Sequence, residues 1–357
     1  MRIDQVLPGA AEGDAITAMA LDIRAQLREF CDSDIYAEFV LSESLRDDVL
    51  PLEDQISDTC VDATVFHVSY GRPAVTSHLV KRREPLFLSF HNFSPADHYL
   101  AYNPEFAVGL EWGEFDLVRF RDRFVRSFAD SQFNAEVLVK LGYRDVVVAP
   151  LGLHPGRLRQ VGVCPSTAAQ IEREFAEGFV LVVGQLLPHK RMDQVVATAH
   201  LIGSVSRRRI PFCIVGADRE SGYSSAIKEF ARRLPETNVS FWGSVSDESL
   251  ATLMRRATIF FGMSDHEGLC IPPLEAMTFG VPVLIKGAGA VPETVGLGGL
   301  VLTPDCGPVL ASEYVTRLWD DVECRAELSK RGFQRLKQID SKTETRKLVQ
   351  AIRDGIR

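Results

Sequence analysis

The chain has 357 residues, 46% hydrophobic and 25% charged, which is enough apolar material for two α/β domains. Its formal net charge of -8 argues against a nucleic-acid binder that neutralises phosphates over a broad face, though not against a local basic patch. The seven cysteines are scattered and never in C-x-x-C spacing, so neither a disulfide framework nor a zinc site is expected, and a reduced cytosolic setting follows. The chain opens on Met1-Arg-Ile-Asp without a leader pattern, and no apolar run approaches the roughly 18 residues that span a bilayer, so a soluble or peripheral protein is expected.

From the N-terminus, short apolar runs alternate with helical patterns, the signature of βαβ units and parallel sheets. Arg2–Leu7 reads as the first strand and Ala15–Phe30 as the first helix, joined by the small-residue loop Pro8-Gly-Ala-Ala-Glu-Gly-Asp-Ala15. Gly13 lets backbone approach a ligand there, and Asp14 suits either an N-cap or the border of a binding site. Asp32-Ser-Asp34 spells D-x-D, a cation-holding pattern. It falls between a helix end and a strand start, the wrong end of a sheet, so it reads as a turn and no metal site is expected.

Further strands are expected at Ile35–Phe39, Ala63–Val68 and Leu86–Phe90. His67 and Tyr70, at the second of these strand ends, are either structural or part of a binding pocket. His91, just past the third, is either a packed strand-end histidine or a group that donates to or accepts from a sugar hydroxyl. Leu117–Phe128 is expected as one helix, with Arg119, Arg121, Arg123 and Arg126 interleaved with Phe120, Phe124 and Phe128, and Arg82-Arg83 nearby in sequence. That basic face reads as a solvated helix side over a core stripe, or as a peripheral contact with anionic lipid. A helix over Asn134–Leu141 and a strand over Val146–Ala149 close the first half. Pro150–Arg157 then carries the punctuation of a linker and divides the chain into domains 1–152 and 153–342.

The second half repeats the pattern, with strands at Val180–Val183, Phe212–Val215, Val239–Trp242, Thr258–Phe261 and Val283–Ile285 and helices at Met192–Ile202, Ser224–Arg233 and Ser246–Arg256. Lys190-Arg191, just beyond Gly184-Gln185, is a solvated helix start or a cation source for charge developing on a diphosphate. Pro272 and Pro273 fit the first turn of a helix that continues to Phe279 and is stopped by Gly280 and Pro282. Glu267 therefore falls in the loop before that helix and Glu275 in its first turn. Carboxylates so placed accept hydrogen bonds from sugar or ribose hydroxyls; otherwise they are a solvated loop residue and a favourable first-turn charge. Gly296-Leu-Gly-Gly299 lacks the strand and helix of a dinucleotide fingerprint and reads as a turn. A last helix at about 343–357 either stays with the second domain or crosses back to the first on Leu348, Val349 and Ile352.

Ser264-Asp-His-Glu-Gly-Leu-Cys-Ile-Pro-Pro-Leu-Glu-Ala-Met277, followed by Phe279-Gly-Val-Pro-Val283 and Gly289-Ala-Val-Pro-Glu-Thr294, resembles the E-x7-E region of retaining glycosyltransferases of family 4. Val183–Arg191 is similar to that family's strand-end phosphate loop, and Gly243–Leu250, which contains Val245, to its nucleotide-facing turn. The resemblance is strong from about Phe179 to Leu302 and weaker before it. It implies a GT-B fold, two Rossmann-like parallel-sheet domains facing across a cleft, the first binding acceptor and the second a nucleotide-diphospho-sugar, with no cofactor and no metal.

On that resemblance Glu267, with Gly268, Leu269 and Cys270 after it, would hold donor-sugar hydroxyls. Lys190 would stabilise the leaving diphosphate, Glu275 would bind ribose, His91 would lie beside the donor sugar, and Gly13 and Asp14 would border the diphosphate or the acceptor. Family members usually carry an arginine where Gln185 stands, so the second cationic contact is an open question, with Arg191 either compensating or not. The pattern is most like bacterial surface-polysaccharide (O-antigen or capsule) mannosyltransferases. It implies GDP-mannose or a UDP-hexose as donor, a polysaccharide or lipid-linked glycan as acceptor, no nucleic-acid partner, and a cytoplasmic place that allows contact with the inner face of the plasma membrane. A nucleotide-sugar epimerase or phosphorylase on the same scaffold, and a non-catalytic partner of a polysaccharide synthase, are the alternatives.

Overall fold

The structure, a computed structural model, describes residues 1–55, 61–150, 155–339 and 341–356, with side chains in the last helix from residue 345. Cys60 and residues 151–154 of the expected linker lie outside the described residues. Contacts divide the chain into two units: residues 1–100, 104–153 and 340–357, and residues 101–103 with 154–339.

The first unit holds β1 (Ile3–Leu7), α1 (Ala15–Leu27), β2 (Ile35–Ala37), β3 (Val49–Pro51), β4 (Ala63–Val68), α2 (Pro73–Lys81), β5 (Leu86–Phe90), α3 (Pro104–Phe120), β6 (Phe124–Ala129), α4 (Gln132–Lys140) and β7 (Val146–Val148). Its strands form one parallel sheet in the order β3-β2-β1-β4-β5-β6-β7. All five residues of β1 and of β5 are buried, as expected for strands covered by helices on both faces. Asp14 caps α1 by accepting from the Thr17 amide at 2.9 Å, while Gly13 just before it adopts a left-handed φ of 76°.

One expected element is corrected. The chain is helical only to Phe120; a 3-10 turn spans Arg121–Arg123, and Phe124–Ala129 is the strand β6. Phe120, Phe124 and Phe128 recur every four residues, which suits a helix, but the backbone of 127–129 finds its partners in β5 and β7. The basic helix face goes with the helix. Arg119 lies over the Phe120 ring, Arg123 donates to the Arg82 carbonyl, and Arg126 pairs with Asp145 at 2.8 Å from a strand. Asp34 of the D-x-D segment pairs with Arg2 and Arg28 at 2.9 Å, at the amino ends of β1 and β2. Strand β3 and helix α2 were not expected from the sequence.

The second unit runs α5 (Pro165–Glu174), β8 (Val180–Val183), α6 (Met192–Ser206), β9 (Phe212–Val215), α7 (Ser221–Arg233), β10 (Val239–Gly243), α8 (Asp247–Arg256), β11 (Ile259–Gly262), α9 (Pro272–Thr278), β12 (Val283–Lys286), α10 (Val291–Val295), β13 (Leu300–Leu302), α11 (Pro308–Asp320) and α12 (Val322–Leu336). Its strands are again all parallel, in the order β10-β9-β8-β11-β12-β13. The order reverses at β8, so the loops after β8 and β11 leave adjacent strands, the topological switch point where ligands bind in such sheets. Val180, Val195, Phe212, Ile259 and Leu284 sit in its core.

The last helix, α13 (Ser341–Ile356), packs in the first unit. Leu348, Val349 and Ile352 enter the cluster of Ile3, Ile23, Val65, Phe87 and Phe128. Each such buried side chain stabilises by about 2 kcal/mol. Among the described residues no helix is long and apolar enough to cross a membrane.

Candidate functional site

The loop after β8 begins at Gly184, whose amide donates to the Val215 carbonyl at 2.9 Å. The backbones of this loop and the one after β9 pass so closely that a Cβ on Gly216 would meet the Gly184 carbonyl oxygen at 1.8 Å. Gln185 is exposed, and a 3-10 turn over Pro188–Lys190 follows. Arg191 then takes a left-handed φ of 51° before α6 starts. That conformation costs a non-glycine residue about 1 kcal/mol, and such strain collects at functional sites.

This path aims the Lys190 ammonium at Glu267. Its Nζ donates to both carboxylate oxygens at 2.8 Å, across 77 positions of sequence. The two side chains are 22% and 10% exposed, so the pair is shielded from water but reachable. Burial works against the lysine's charge, and Glu267 outweighs it, leaving the ammonium harder to deprotonate than usual.

Glu267 lies in the loop after β11. Its carbonyl accepts from the Ala290 amide at 2.9 Å, so the loop after β12 backs it. Gly289 makes that contact possible, because its φ is 56° and a Cβ there would stand 2.2 Å from the Glu267 carbonyl oxygen. Next in the same loop, Thr294 donates to the Leu269 carbonyl, and Cys270 adopts a φ of 68°. Burial, and then Glu267, push the Cys270 thiol well above its usual range, so it stays protonated.

A second charged group adjoins the first. The Asp265 amide donates to the His189 carbonyl at 2.8 Å, tying the β11 loop to the β8 loop. The Asp265 carboxylate accepts from Arg191 and from the buried Lys286 at the end of β12. Burial opposes the charge on Asp265, but Lys286 and Arg191 overcome it and hold the carboxyl below its ordinary value. Arg191 also chelates Asp193 at 2.9 Å, so its guanidinium is engaged by two carboxylates. Glu275 stands in the first turn of α9, half-buried; burial lifts its carboxyl to about 7, with Arg157 pulling the other way. Val245 lies half-buried between β10 and α8.

In the first unit, His91 follows β5. Its Nδ1 faces Asp130 at 2.8 Å and its Nε2 faces His67 Nδ1 at 2.9 Å, with the ring only 2% exposed. Tyr70 stacks on Phe106 with centroids 4.7 Å apart, in a space that Gly109 leaves open. The second unit thus brings together Lys190, Arg191, Glu267, Gly268, Leu269 and Cys270. The first brings together His67 and His91, with Gly13 and Asp14 at a separate loop. Sequence reasoning missed Asp265, Lys286 and Asp130. Asp265 sat two residues from Glu267 inside the quoted motif, and Lys286 one residue past an expected strand. Asp130 was hidden behind the helix wrongly expected over β6.

Residues 168–335 match the family described as Glycosyl transferases group 1. Over 180 residues the chain is 29% identical to O-antigen chain mannosyltransferase B of Escherichia coli, covering 49% of this chain and 45% of that protein. Over 162 residues it is 30% identical to the GDP-mannose-dependent monoacylated alpha-(1-6)-phosphatidylinositol monomannoside mannosyltransferase of Corynebacterium glutamicum, covering 42% and 39%. The matches span less than half the length of these curated relatives. Among solved structures, Anabaena Alr3699/HepE in complex with UDP and glucose superposes with a TM-score of 0.72 over 99% of this chain and 100% of its own, at 17% identity. The fold is GT-B, two Rossmann-like parallel-sheet domains.

Proposed function

We propose that this chain, whose residues 168–335 carry a glycosyl transferases group 1 domain, is a retaining transferase that moves a hexose, mannose in the first instance, from a nucleotide diphosphate to a glycan or lipid-linked acceptor. The observation that carries the reading is the Lys190–Glu267 pair at the ends of two adjacent strands. Departure of the nucleotide leaves a diphosphate with extra negative charge, which Lys190 is placed to meet. As the ammonium turns to the diphosphate, the Glu267 oxygens become free to accept from sugar hydroxyls. The pair is thus a preformed site whose two halves exchange each other for the two ends of the donor's reacting bond.

Glu275 takes the ribose hydroxyls, which favour its charged form. His91 belongs with the sugar and Tyr70 with the acceptor; His67, expected there too, is 1% exposed and hydrogen-bonded at both ring nitrogens, and so touches neither. Departing phosphate oxygen accepts the incoming hydroxyl's proton, so the scheme needs neither a carboxylate nucleophile nor a metal. GDP-mannose is favoured by the Corynebacterium relative, and the Anabaena structural neighbour with UDP keeps a UDP-hexose as the second donor.

The test is a thermal-shift series with GDP, UDP, ADP and dTDP, followed by transfer assays with the matching sugars. A ligand at a hundred times its Kd raises stability by about 2.7 kcal/mol, so the right nucleotide stands out. GDP is expected to give the largest shift and GDP-mannose to support transfer. No shift with any nucleotide, and no transfer or hydrolysis, would overturn the reading.

A further inference from the structure

Four polar groups that no part of the proposed reaction uses together form one line across the first sheet. Gln5 of β1, His67 of β4, His91 just after β5 and Asp130 just after β6 stand on adjacent strands or at their ends. His67 Nε2 faces Gln5 Oε1 at 2.9 Å, His67 Nδ1 faces His91 Nε2 at 2.9 Å, and His91 Nδ1 faces Asp130 Oδ2 at 2.8 Å. The two rings are within 6° of coplanar orientation. Gln5 is fully buried, His67 is 1% exposed and Asp130 is 5% exposed, so water does not complete these bonds.

Proton counting then fixes the state of the line. Each of the three hydrogen bonds needs one proton between its heavy atoms. Gln5 cannot turn to supply one, because its amide nitrogen donates to the Ala20 carbonyl at 2.9 Å and the reversed amide would set oxygen against oxygen. Asp130 as a carboxylate only accepts. Two neutral imidazoles bring two protons, and three are needed. Burial, and then the neighbouring His91, hold His67 well below the usual imidazole range, so His67 is the neutral ring and the third proton lies between His91 and Asp130.

We infer that Asp130 and His67 are positioning residues that act through His91, the three sharing one proton beyond those of two neutral rings in a chain that is neutral as a whole and occupies both nitrogens of the His91 ring. The inference rests on the reading that His91 borders the transferred sugar. It assigns His91 a contribution through ring placement and backbone rather than through a ring hydrogen bond to the sugar. Among the described residues, Ser89 of β5 lies 3.3 Å from His91 Nε2 and the Ala20 carbonyl of α1 accepts from Gln5, and neither carries charge. Asn134 of α4 accepts from Asn92, not from the rings. Loss of the third proton sets two acceptors face to face at under 3 Å, and the rings must turn.

Two measurements on the full chain decide this. Nitrogen-15 spectra of histidine-labelled protein at pH 7 are expected to show three protons held at the ring nitrogens of His67 and His91, and in Asp130→Asn only two, because the new amide itself supplies the proton of the bond to His91 Nδ1. Two protons in the unsubstituted chain would overturn the inference. In turnover, Asp130→Ala is expected to lower kcat about a hundredfold with the donor KM little changed, the scale set by misplacing a group at a reacting centre. Asp130→Asn, which keeps the shape and the bond, is expected to recover most of that loss and to change the alkaline limb of the kcat profile, because the third proton then belongs to the amide. An unchanged pH profile in Asp130→Asn would overturn the positioning role. If the unsubstituted chain transfers no sugar from any nucleotide, the transferase reading falls, and the proton count still stands or falls on its own spectrum.

Discussion

At the carboxyl ends of β4, β5 and β6 the polar groups are buried and hydrogen-bonded in a line from Gln5 to Asp130. At the carboxyl ends of β8, β11 and β12 they are full charges in pairs, Lys190 with Glu267 and Asp265 with Arg191 and Lys286, with Lys190, Arg191 and Asp265 partly open to solvent and Glu267 and Lys286 buried. The same α/β architecture therefore holds a buried hydrogen-bonded line in one unit and a cluster of ion pairs in the other. A buried, saturated line has nothing to offer a charged ligand but a fixed shape. A partly exposed pair gives up one partner for a ligand at small cost, because the charges it leaves are satisfied again by the ligand.

The contrast can be broken most forcefully at Glu267. Glu267→Gln keeps the shape but removes the charge that accepts sugar hydroxyls, and kcat is expected to fall about 100- to 1,000-fold with the fold retained. Turnover within threefold of the unsubstituted chain would return Glu267 to a solvated loop residue.

A smaller effect is expected at Glu275. Its carboxyl is raised to about 7 in the folded chain, above its unfolded value, so the folded state holds a proton that the unfolded state releases. Stability is therefore fullest below the unfolded value and falls as pH rises toward 7. Glu275→Gln is expected to remove that fall, read as the difference in melting temperature between pH 5 and pH 8. Ribose hydroxyls favour the carboxylate, so nucleotide binding at pH 6.5 should release a fraction of a proton, measurable by calorimetry in buffers of different ionisation enthalpy. Proton release unchanged in Glu275→Gln would place the ribose elsewhere.

The smallest effect sharpens the question that Gln185 raises. Arg191 is already bound to Asp193 and Asp265, so Arg191→Gly is expected to leave diphosphate affinity within about twofold, while relief of the left-handed backbone offsets the lost ion pairs to within about 1 kcal/mol. A tenfold loss of affinity would make Arg191 the second cation after all.

What could be read from the sequence follows the same division. The second unit's site is assembled from two contiguous stretches, 184–191 and 265–275, so local patterns placed Lys190, Glu267 and Glu275 on loops and a helix start before any fold was known. The line in the first unit is drawn from positions 5, 67, 91 and 130, which only the sheet order brings together. His67 and His91 stood out singly as strand-end histidines, but their bond to each other depends on β4 and β5 being neighbours in register, His67 opposite Ser89. Asp130 could not be placed while Phe120, Phe124 and Phe128 were read at helical spacing, since in that reading no strand end precedes it. Lys286 and Asp265 were missed for a different reason: an isolated lysine and aspartate carry no pattern until a fold pairs them.

The central claim, that Lys190 and Glu267 form the donor site and that Lys190 meets the diphosphate, is tested most directly by calorimetric titration of the full chain and of Lys190→Ala with GDP and with guanosine. The account predicts that Lys190→Ala weakens GDP binding by tenfold or more, the scale of one charge-assisted contact of about 1.5–3 kcal/mol, and leaves guanosine binding unchanged. Equal losses for GDP and guanosine, or no loss for either, would contradict it.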